Sequence, residues 1–341
     1  MNGFELASDN TAGMAPEALA ALVEANSSFC PSYGADPYTG RAVEAFRALF
    51  GLPCEVFFTS TGTAANSLAL SQMCHPHHAV ICHAVAHIET DECNAPEFFG
   101  GGMKLLTAPG ENGKLSPAMV QRLATERRDV HSALPRALSL TLPTEAGTVY
   151  TLEELRVLRD VARANRLLIH LDGARFSNAV ASLGCAPGEV IEASGADVLC
   201  FGGTKGGVGL SEAVVFFNLE LAQEFDYRCK QTGQLASKMR LLSAPWATML
   251  DGGYWLRYAQ VANQAAGRLR EIFQAHGLEV LYPVEANAVF VKLPPVADAR
   301  LRECGWHYYP FFEGAARFMC SWNVGSAVLE AFERDLEAAM R

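Results

Sequence analysis

No apolar run in this 341-residue chain approaches the roughly 20 residues of a membrane-spanning helix. The opening stretch, "MNGFELASDNTAG", lacks the cationic start and apolar centre of an export signal, so export is not expected. Ten cysteines are present, but none forms a C-x-x-C pair, which excludes a zinc knuckle and a dithiol redox motif. Cys82 in "AVICHAV" and Cys200 in "DVLCFGG" sit inside apolar stretches and read as buried free thiols. A reducing cytoplasm is the simplest compartment for them. Basic residues are the minority, 27 against 37 acidic, and the formal charge of −10 excludes nonspecific nucleic-acid binding. A local anion site at a helix N-terminus stays open. Neither G-x-x-x-x-G-K-[ST] nor G-x-G-x-x-G occurs, so P-loop and dinucleotide-binding chemistry are set aside. Internal repeats and low-complexity segments are absent too.

What is present is an ordinary globular balance, with half the residues hydrophobic and 19% charged. The length suits roughly two domains at about 150 residues each. Strand-like "CEVFFTS" (54–60), "AVIC" (79–82), "ALSLTL" (137–142), "LLIHLD" (167–172), "DVLCF" and "AVVFF" alternate with helical stretches such as 63–74 and 151–166. In the latter, Leu152, Leu155, Leu158 and Val161 or Ala162 recur at helical spacing, and Thr151 with Glu154 fits a capping box. Such alternation predicts an α/β fold, with a mostly parallel sheet between helices. Past about residue 245 the pattern changes to a long helical stretch interrupted near Asp251-Gly252-Gly253, strands in "ANAVFVKL" and "AARFMCSW", and a helical tail from Ser326. The expected organisation is a large domain with an N-terminal arm over 1–245 and a small α+β domain over 246–341.

Three strand ends carry candidate chemistry. "TSTGTAAN" (59–66) is either an ordinary helix N-cap or a phosphate cradle, where Gly62 permits close approach and Thr61 and Thr63 add hydroxyls. Asp172 ends an apolar strand, where ligands of open α/β sheets bind. It either pairs with Arg175 or meets a protonated ring nitrogen while Arg175 meets an anion. Lys205, in "FGGTKGG", is either a surface residue of a glycine turn or an amine set to form a Schiff base with an aldehyde. A phosphate cradle, an aspartate and a lysine on three strand ends together match the requirements of pyridoxal 5′-phosphate (PLP).

In that order, "SDNTAGMAPEAL", "YGADPYTG", "STGTAANSLAL", "LDGARFSNAV" and "FGGTKGG" resemble the L-threonine aldolases of the PLP-dependent β-eliminating lyase group. The likeness runs from Ser8 to about Trp322, and "RCKQTGQLASKMRLLSAPW" and "PVEANAVFVKLP" resemble the low-specificity bacterial members. It implies a fold-type I PLP-dependent transferase-like architecture and retro-aldol cleavage of L-threonine, L-allo-threonine and related L-β-hydroxy-α-amino acids to glycine and an aldehyde. Lys205 is then the lysine that holds the cofactor, Asp172 keeps the pyridine nitrogen protonated, and Gly62 and Thr63 bind the phosphate. Thr204 stands where many members have serine, and Gly206 where some have asparagine, so the glycines around Lys205 are expected to leave room for the cofactor. Arg175 and Arg317 take the substrate carboxylate together with Ser8, guanidinium being its bidentate partner.

Two histidines match family positions. His87 is implied to stack on the cofactor ring and His131 to lie near the substrate β-hydroxyl; imidazole, titrating at about 6.5, suits either one to relay that proton. His75, His77 and His78 in "HPHHAV" lack a carboxylate or cysteine spaced to complete a metal site, so no metal is expected. A basic stretch, 227–240, is a solvated helix face or, by the resemblance, part of a homo-oligomer that shares active sites, a tetramer built as a dimer of dimers. Lys230 would then reach a neighbour's phosphate, and Tyr33 lines the substrate pocket or is a structural loop tyrosine. Competing readings are a phenylserine-preferring aldolase, another PLP lyase or racemase, and a non-enzymatic binding protein on the same fold.

Overall fold

The computed structural model describes residues 3–27, 29–311 and 314–341. Seven strands form the main sheet: β1 (Glu55–Thr59), β2 (His78–His83), β3 (Lys104–Ala108), β4 (Leu134–Thr141), β5 (Leu168–Gly173), β6 (Val198–Gly202) and β7 (Glu212–Phe216). Their order is β1-β7-β6-β5-β4-β2-β3. Only β7 is reversed, running antiparallel to both β1 and β6, and every other neighbouring pair is parallel. The reversal has a length reason: residues 203–211 are too few for a parallel crossover, which needs a dozen or more. The turn carrying Lys205 is therefore a hairpin connection, and the carboxyl ends of six strands open on the same edge of the sheet.

β6 and β7 are buried along their whole length, which is why "DVLCF" and "AVVFF" read as continuous apolar runs rather than alternating ones. β3 lies at the sheet edge with Lys104 and Thr107 exposed, and its short mixed pattern carries no clear strand signal. The helix Leu152–Ala164 starts in the expected capping box: Glu154 N–H donates to Thr151 Oγ1 at 3.1 Å and Thr151 N–H to Glu154 Oε2 at 2.7 Å. The expected helix interruption is present too, between Arg240–Asp251 and Tyr254–Ala275.

A second antiparallel sheet of β8 (Ala288–Val291), β9 (Tyr309–Pro310) and β10 (Ala316–Met319), in the order β8-β10-β9, has its own core around Phe273, Val289, Phe318 and Phe332. The packing moves two expected boundaries. Trp246 is fully buried in the main core against Phe46 and Phe201, so residue 245/246 falls inside a helix of the first core. The changeover lies along the helix Tyr254–Ala275, which buries Trp255 in the first core and Leu269 and Phe273 in the second. The N-terminal arm, expected with the large domain, puts Leu6 into the second core and hydrogen-bonds its carbonyl to Met319 N–H at 2.9 Å.

Trp246 also donates its indole N–H to Ser211 Oγ at 2.8 Å, tying the end of the lysine-bearing hairpin to the core. Trp246→Ala, which deletes the ring and leaves that hydroxyl unpaired, is expected to lower unfolding free energy by about 3–5 kcal/mol in denaturant titration.

Candidate active site

At the carboxyl edge of the main sheet a narrow cleft gathers Gly62, Asn66, His87, Thr141, Asp172 and Lys205 with Glu92, Glu145 and Arg175. Each arrives from a strand end. β1 leads into the helix Gly62–Met73, β2 into the short helix His87–Thr90, β4 into the turn holding Glu145, and β6 into the turn Thr204–Gly206. Asp172 is the penultimate residue of β5, flanked in register by Thr141 of β4 and Cys200 of β6. The first turn of the helix Gly62–Met73 is braced from across the molecule, because Ser60 donates both its N–H and its hydroxyl to the Gln234 side-chain oxygen. Thr61 is the N-cap, its hydroxyl accepting from Ala64 N–H at 3.2 Å. Gly62 and Thr63 open the helix, both partly exposed, and a side chain at Gly62 would meet nothing within 4 Å.

Asp172 is buried, 3% exposed, and its oxygens accept from Ala174 N–H (3.1 Å) and the Asn66 amide (3.0 Å). Among the described residues no cation forms an ion pair with it, so the salt bridge to Arg175 is not the partner it finds. The same Asn66 amide donates to Glu92 Oε1 at 2.9 Å, and that oxygen lies 2.8 Å from His87 Nδ1. A continuous polar chain, Asp172–Asn66–Glu92–His87, thus runs beneath the cleft. The Glu92 hydrogen bond raises the His87 imidazole above its ordinary range, while burial pushes the Glu92 carboxyl upward. The pair therefore holds a proton on the Nδ1–Oε1 axis and leaves Nε2 as the open ring nitrogen.

Lys205 makes no hydrogen bond or ion pair among the described residues and lines the cleft with its amine. The glycines beside it have other reasons than cofactor clearance. A Cβ at Gly202 would stand 2.2 Å from the Ala174 carbonyl oxygen, and one at Gly203 would stand 2.4 Å from Ser211 O and 2.5 Å from the Trp246 ring. Gly207 takes φ +86° to close the turn; only Gly206 faces open space. Beneath the turn, Glu212 accepts Gly203 N–H at 2.7 Å, its carboxyl pushed up to about 7 by burial against the pull of Thr204 and Lys205. Thr204 itself is the first residue of the turn, partly buried beside that carboxyl.

The two arginines fare differently. Arg175 is held by Asp9, Nε to Oδ2 at 2.6 Å and Nη2 to Oδ1 at 3.0 Å, a bidentate pair that leaves Nη1 for a ligand. Arg175 thus meets a carboxylate of the chain itself on two of its three nitrogens. Asp9 also accepts from the Asn287 amide at 3.0 Å, and burial, which opposes its ionisation, is outweighed by Arg175, so its carboxyl lies below the usual range. Arg317, on β10, has a buried Nε with no hydrogen-bond partner, and burial followed by the neighbouring Arg175 charge lowers its pKa. Ser8 is buried next to Asp9, its Oγ accepting from Asn10 N–H at 3.2 Å with its own hydrogen still to give.

Three expected residues are not brought to this cleft. His131 is exposed in the loop before β4, bonded through its N–H to Asp129, and the eight residues of β4, roughly 25 Å, separate that end of the strand from Thr141. Its assignment near the substrate is corrected: it precedes the strand whose far end reaches the cleft. Tyr33 and Lys230 are exposed together at another surface, the Lys230 amine 4.7 Å over the Tyr33 ring. Conversely, Asp9, Asn66, Glu92 and Glu145 were not singled out from sequence. Glu145 carries the signal that marks Asp172, a carboxylate just past an apolar strand, whereas Asn66 and Glu92 read as ordinary helix and turn residues.

The family model described as Beta-eliminating lyase matches residues 5–294. A low specificity L-threonine aldolase of Pseudomonas sp. is 51% identical over 338 residues, covering 98% of each chain. The solved structure of Leishmania major threonine aldolase is similar with a TM-score of 0.92 at 27% identity, covering 98% of this chain and 99% of that one. A serine palmitoyltransferase from S. paucimobilis solved with bound PLP shares the fold, with a TM-score of 0.67 at 18% identity over 98% of this chain and 86% of that one.

Asp9→Asn leaves the Arg175 charge buried and half-paired, and is expected to destabilise the protein by about 3–5 kcal/mol in urea unfolding at neutral pH. Because the folded Asp9 carboxyl is depressed, the unfolded chain binds its proton first on acidification. Wild-type stability from this pair is present above the ordinary aspartate range and lost as pH falls through it toward the lower folded value. The difference between wild type and Asp9→Asn should shrink over that acid interval.

Proposed function

This chain belongs to the β-eliminating lyase family, and from that premise we propose that it cleaves L-threonine, L-allo-threonine and related L-β-hydroxy-α-amino acids to glycine and an aldehyde, with PLP as cofactor. The observation that carries the reading is a buried Asp172 without a cation and an unpaired Lys205 amine on adjacent strand ends of the same cleft. Each lacks what the other end of a PLP ring provides: a protonated pyridine nitrogen for the carboxylate, an aldehyde carbon for the amine. Bound there, PLP supplies an electron sink for the pair released when the Cα–Cβ bond breaks.

The chain's own residues divide the remaining work. Lys205 would hold the cofactor covalently, and Gly62, Thr63 and Thr204 would meet its phosphate with helix N-terminal N–H groups and hydroxyls. His87, oriented through Nδ1 by Glu92, would cover the ring face. Arg317 is the open carboxylate receptor, since its Nε has no partner, with Ser8 and the remaining Nη1 of Arg175 beside it. Fixing the substrate carboxylate sets which Cα bond stands perpendicular to the ring, and this orientation selects among the reactions PLP permits. A small side space adjoins the cleft through Thr141 and Glu145, its wall shared about equally between polar groups such as His83 and Ser139 and apolar ones such as Val85 and Leu140.

The exposed Tyr33–Lys230 pair supports a homo-oligomer, read as a tetramer of two dimers, in which each pair serves a neighbour's cleft. We place the protein in the cytoplasm; among the described residues no helix is long and apolar enough to cross a membrane.

Purified protein with PLP, incubated with L-threonine, L-allo-threonine, L-phenylserine and the D-isomers, should release glycine and aldehyde from the L-isomers alone. Pyruvate would instead indicate β-elimination, and D-amino acids racemisation. Lys205→Ala should reduce glycine release to background and let PLP separate on gel filtration. Mixing refolded Lys205→Ala and Lys230→Ala chains should restore part of the activity that each lacks; no recovery would sink the shared site.

A further inference from the structure

Retro-aldol cleavage needs an acceptor for the substrate hydroxyl proton, and the groups around the cleft can be sorted by what already occupies them. His83, in the adjoining space, accepts Val85 N–H at its Nδ1 and donates from Nε2 to Gly110 O at 3.2 Å, so both nitrogens are in use. Burial lowers its pKa, consistent with a fixed neutral ring. His87 is bound to Glu92, and that bond favours its protonated form, which suits a donor better than an acceptor. Asp172 accepts from Asn66 and Ala174, and Lys205 is engaged by the cofactor on the reading above. Arginines cannot accept.

Glu145 is different. Its carboxyl has no hydrogen bond or ion pair among the described residues, and it lines both the cleft and the adjoining side space. Burial pushes this carboxyl above the ordinary range, Asp172 adds to that, and Arg175, His87 and Lys205 pull it back; Arg317 feels its charge from beyond Arg175. A partly buried carboxyl that finds no partner within the chain is open to a donor from a ligand.

Resting on the aldolase reading, we propose that Glu145 is a catalytic base that takes the proton of the substrate β-hydroxyl, held where the cofactor cleft meets the small side space. The carboxylate accepts the hydroxyl proton, the C–O bond becomes C=O as the Cα–Cβ bond breaks, and the aldehyde leaves. The Cα–Cβ electron pair stays with the amino-acid fragment, whose Cα then takes up one proton to give glycine, while Glu145 releases the one it accepted. The ionised form is the active one, so cleavage rises with pH through the raised titration of Glu145.

Glu145→Gln keeps the shape and removes the base. Cleavage of L-threonine should fall in kcat by about 10²–10⁴-fold, with KM changed by no more than about threefold. The acid limb of the kcat–pH profile, expected above the ordinary carboxylate range of about 4, should disappear, and Glu145→Asp should recover part of the rate. Exchange of the glycine α-hydrogen with deuterated solvent, which involves no β-hydroxyl, should fall far less than cleavage. In cofactor-free protein, the infrared titration of wild type minus that of Glu145→Gln should show a carboxylic C=O component that persists above that range, the bands of Glu92 and Glu212 cancelling in the difference. The proposal is overturned if Glu145→Gln cleaves within about threefold of wild type with its acid limb intact. Loss of glycine exchange in parallel with cleavage, or identical infrared titrations, would overturn it equally. Wild type that exchanges glycine yet releases no aldehyde would instead overturn the aldolase reading, and the assignment of Glu145 with it.

Discussion

The buried carboxylate of Asp9 is the point on which the geometry of the site depends. One residue from the N-terminal arm grips Arg175 beyond β5 and the Asn287 amide ahead of β8, so the arm, the main sheet and the small sheet meet at a single charge. Such a charge is tolerated away from water only when its oxygens are fully engaged. Asp9 satisfies this with a bidentate guanidinium and an amide. The consequence is a division of labour between the arginines: Arg175 becomes part of the frame, and Arg317, on the small domain, is left with an unpartnered Nε. An anion bound there would join the two domains.

The second constraint is the chain of polar groups below the cleft. Asn66 donates to both Asp172 and Glu92, so two buried carboxylates share one amide, and Glu92 in turn sets the orientation of His87. Because each bond is made in a largely dry environment, each residue in the chain fixes the next. Asp172 still lacks a cation, Lys205 still lacks a partner, and Glu145 still lacks a donor. These unmet demands lie around one space, whereas the buried carboxylates of Asp9 and Glu212 find donors within the chain.

Much of the architecture was legible in the order of residues. Strands buried on both faces announce themselves as apolar runs, and the capping box at Thr151 follows from local chemistry alone. Asp172 and Lys205 could be marked because a charged residue directly after an apolar strand must lie at a sheet edge. Edge strand β3, with a mixed exposure pattern over five residues, carries too little apolar signal to be read. The boundary near residue 245 was misjudged because the change in pattern there marks a change in secondary structure, while Trp246 still packs with Phe46, some 200 positions earlier in the chain.

Local spacing by itself determined the strand–helix alternation, the caps, and which strand ends bear a lysine, an aspartate and a glycine-and-threonine turn, since all of these depend on neighbours a few residues apart. Only the tertiary structure decided who partners whom. It gave Arg175 to Asp9 across 166 positions, bridged Asn66 to Asp172 across 106, and left His131 at the far end of β4. It also showed that Gly202 and Gly203 are small because Ala174, Ser211 and Trp246 crowd them. Such pairings arise from burial of charge and from close packing between segments distant in the chain, and no local pattern encodes which of several arginines a buried carboxylate will find.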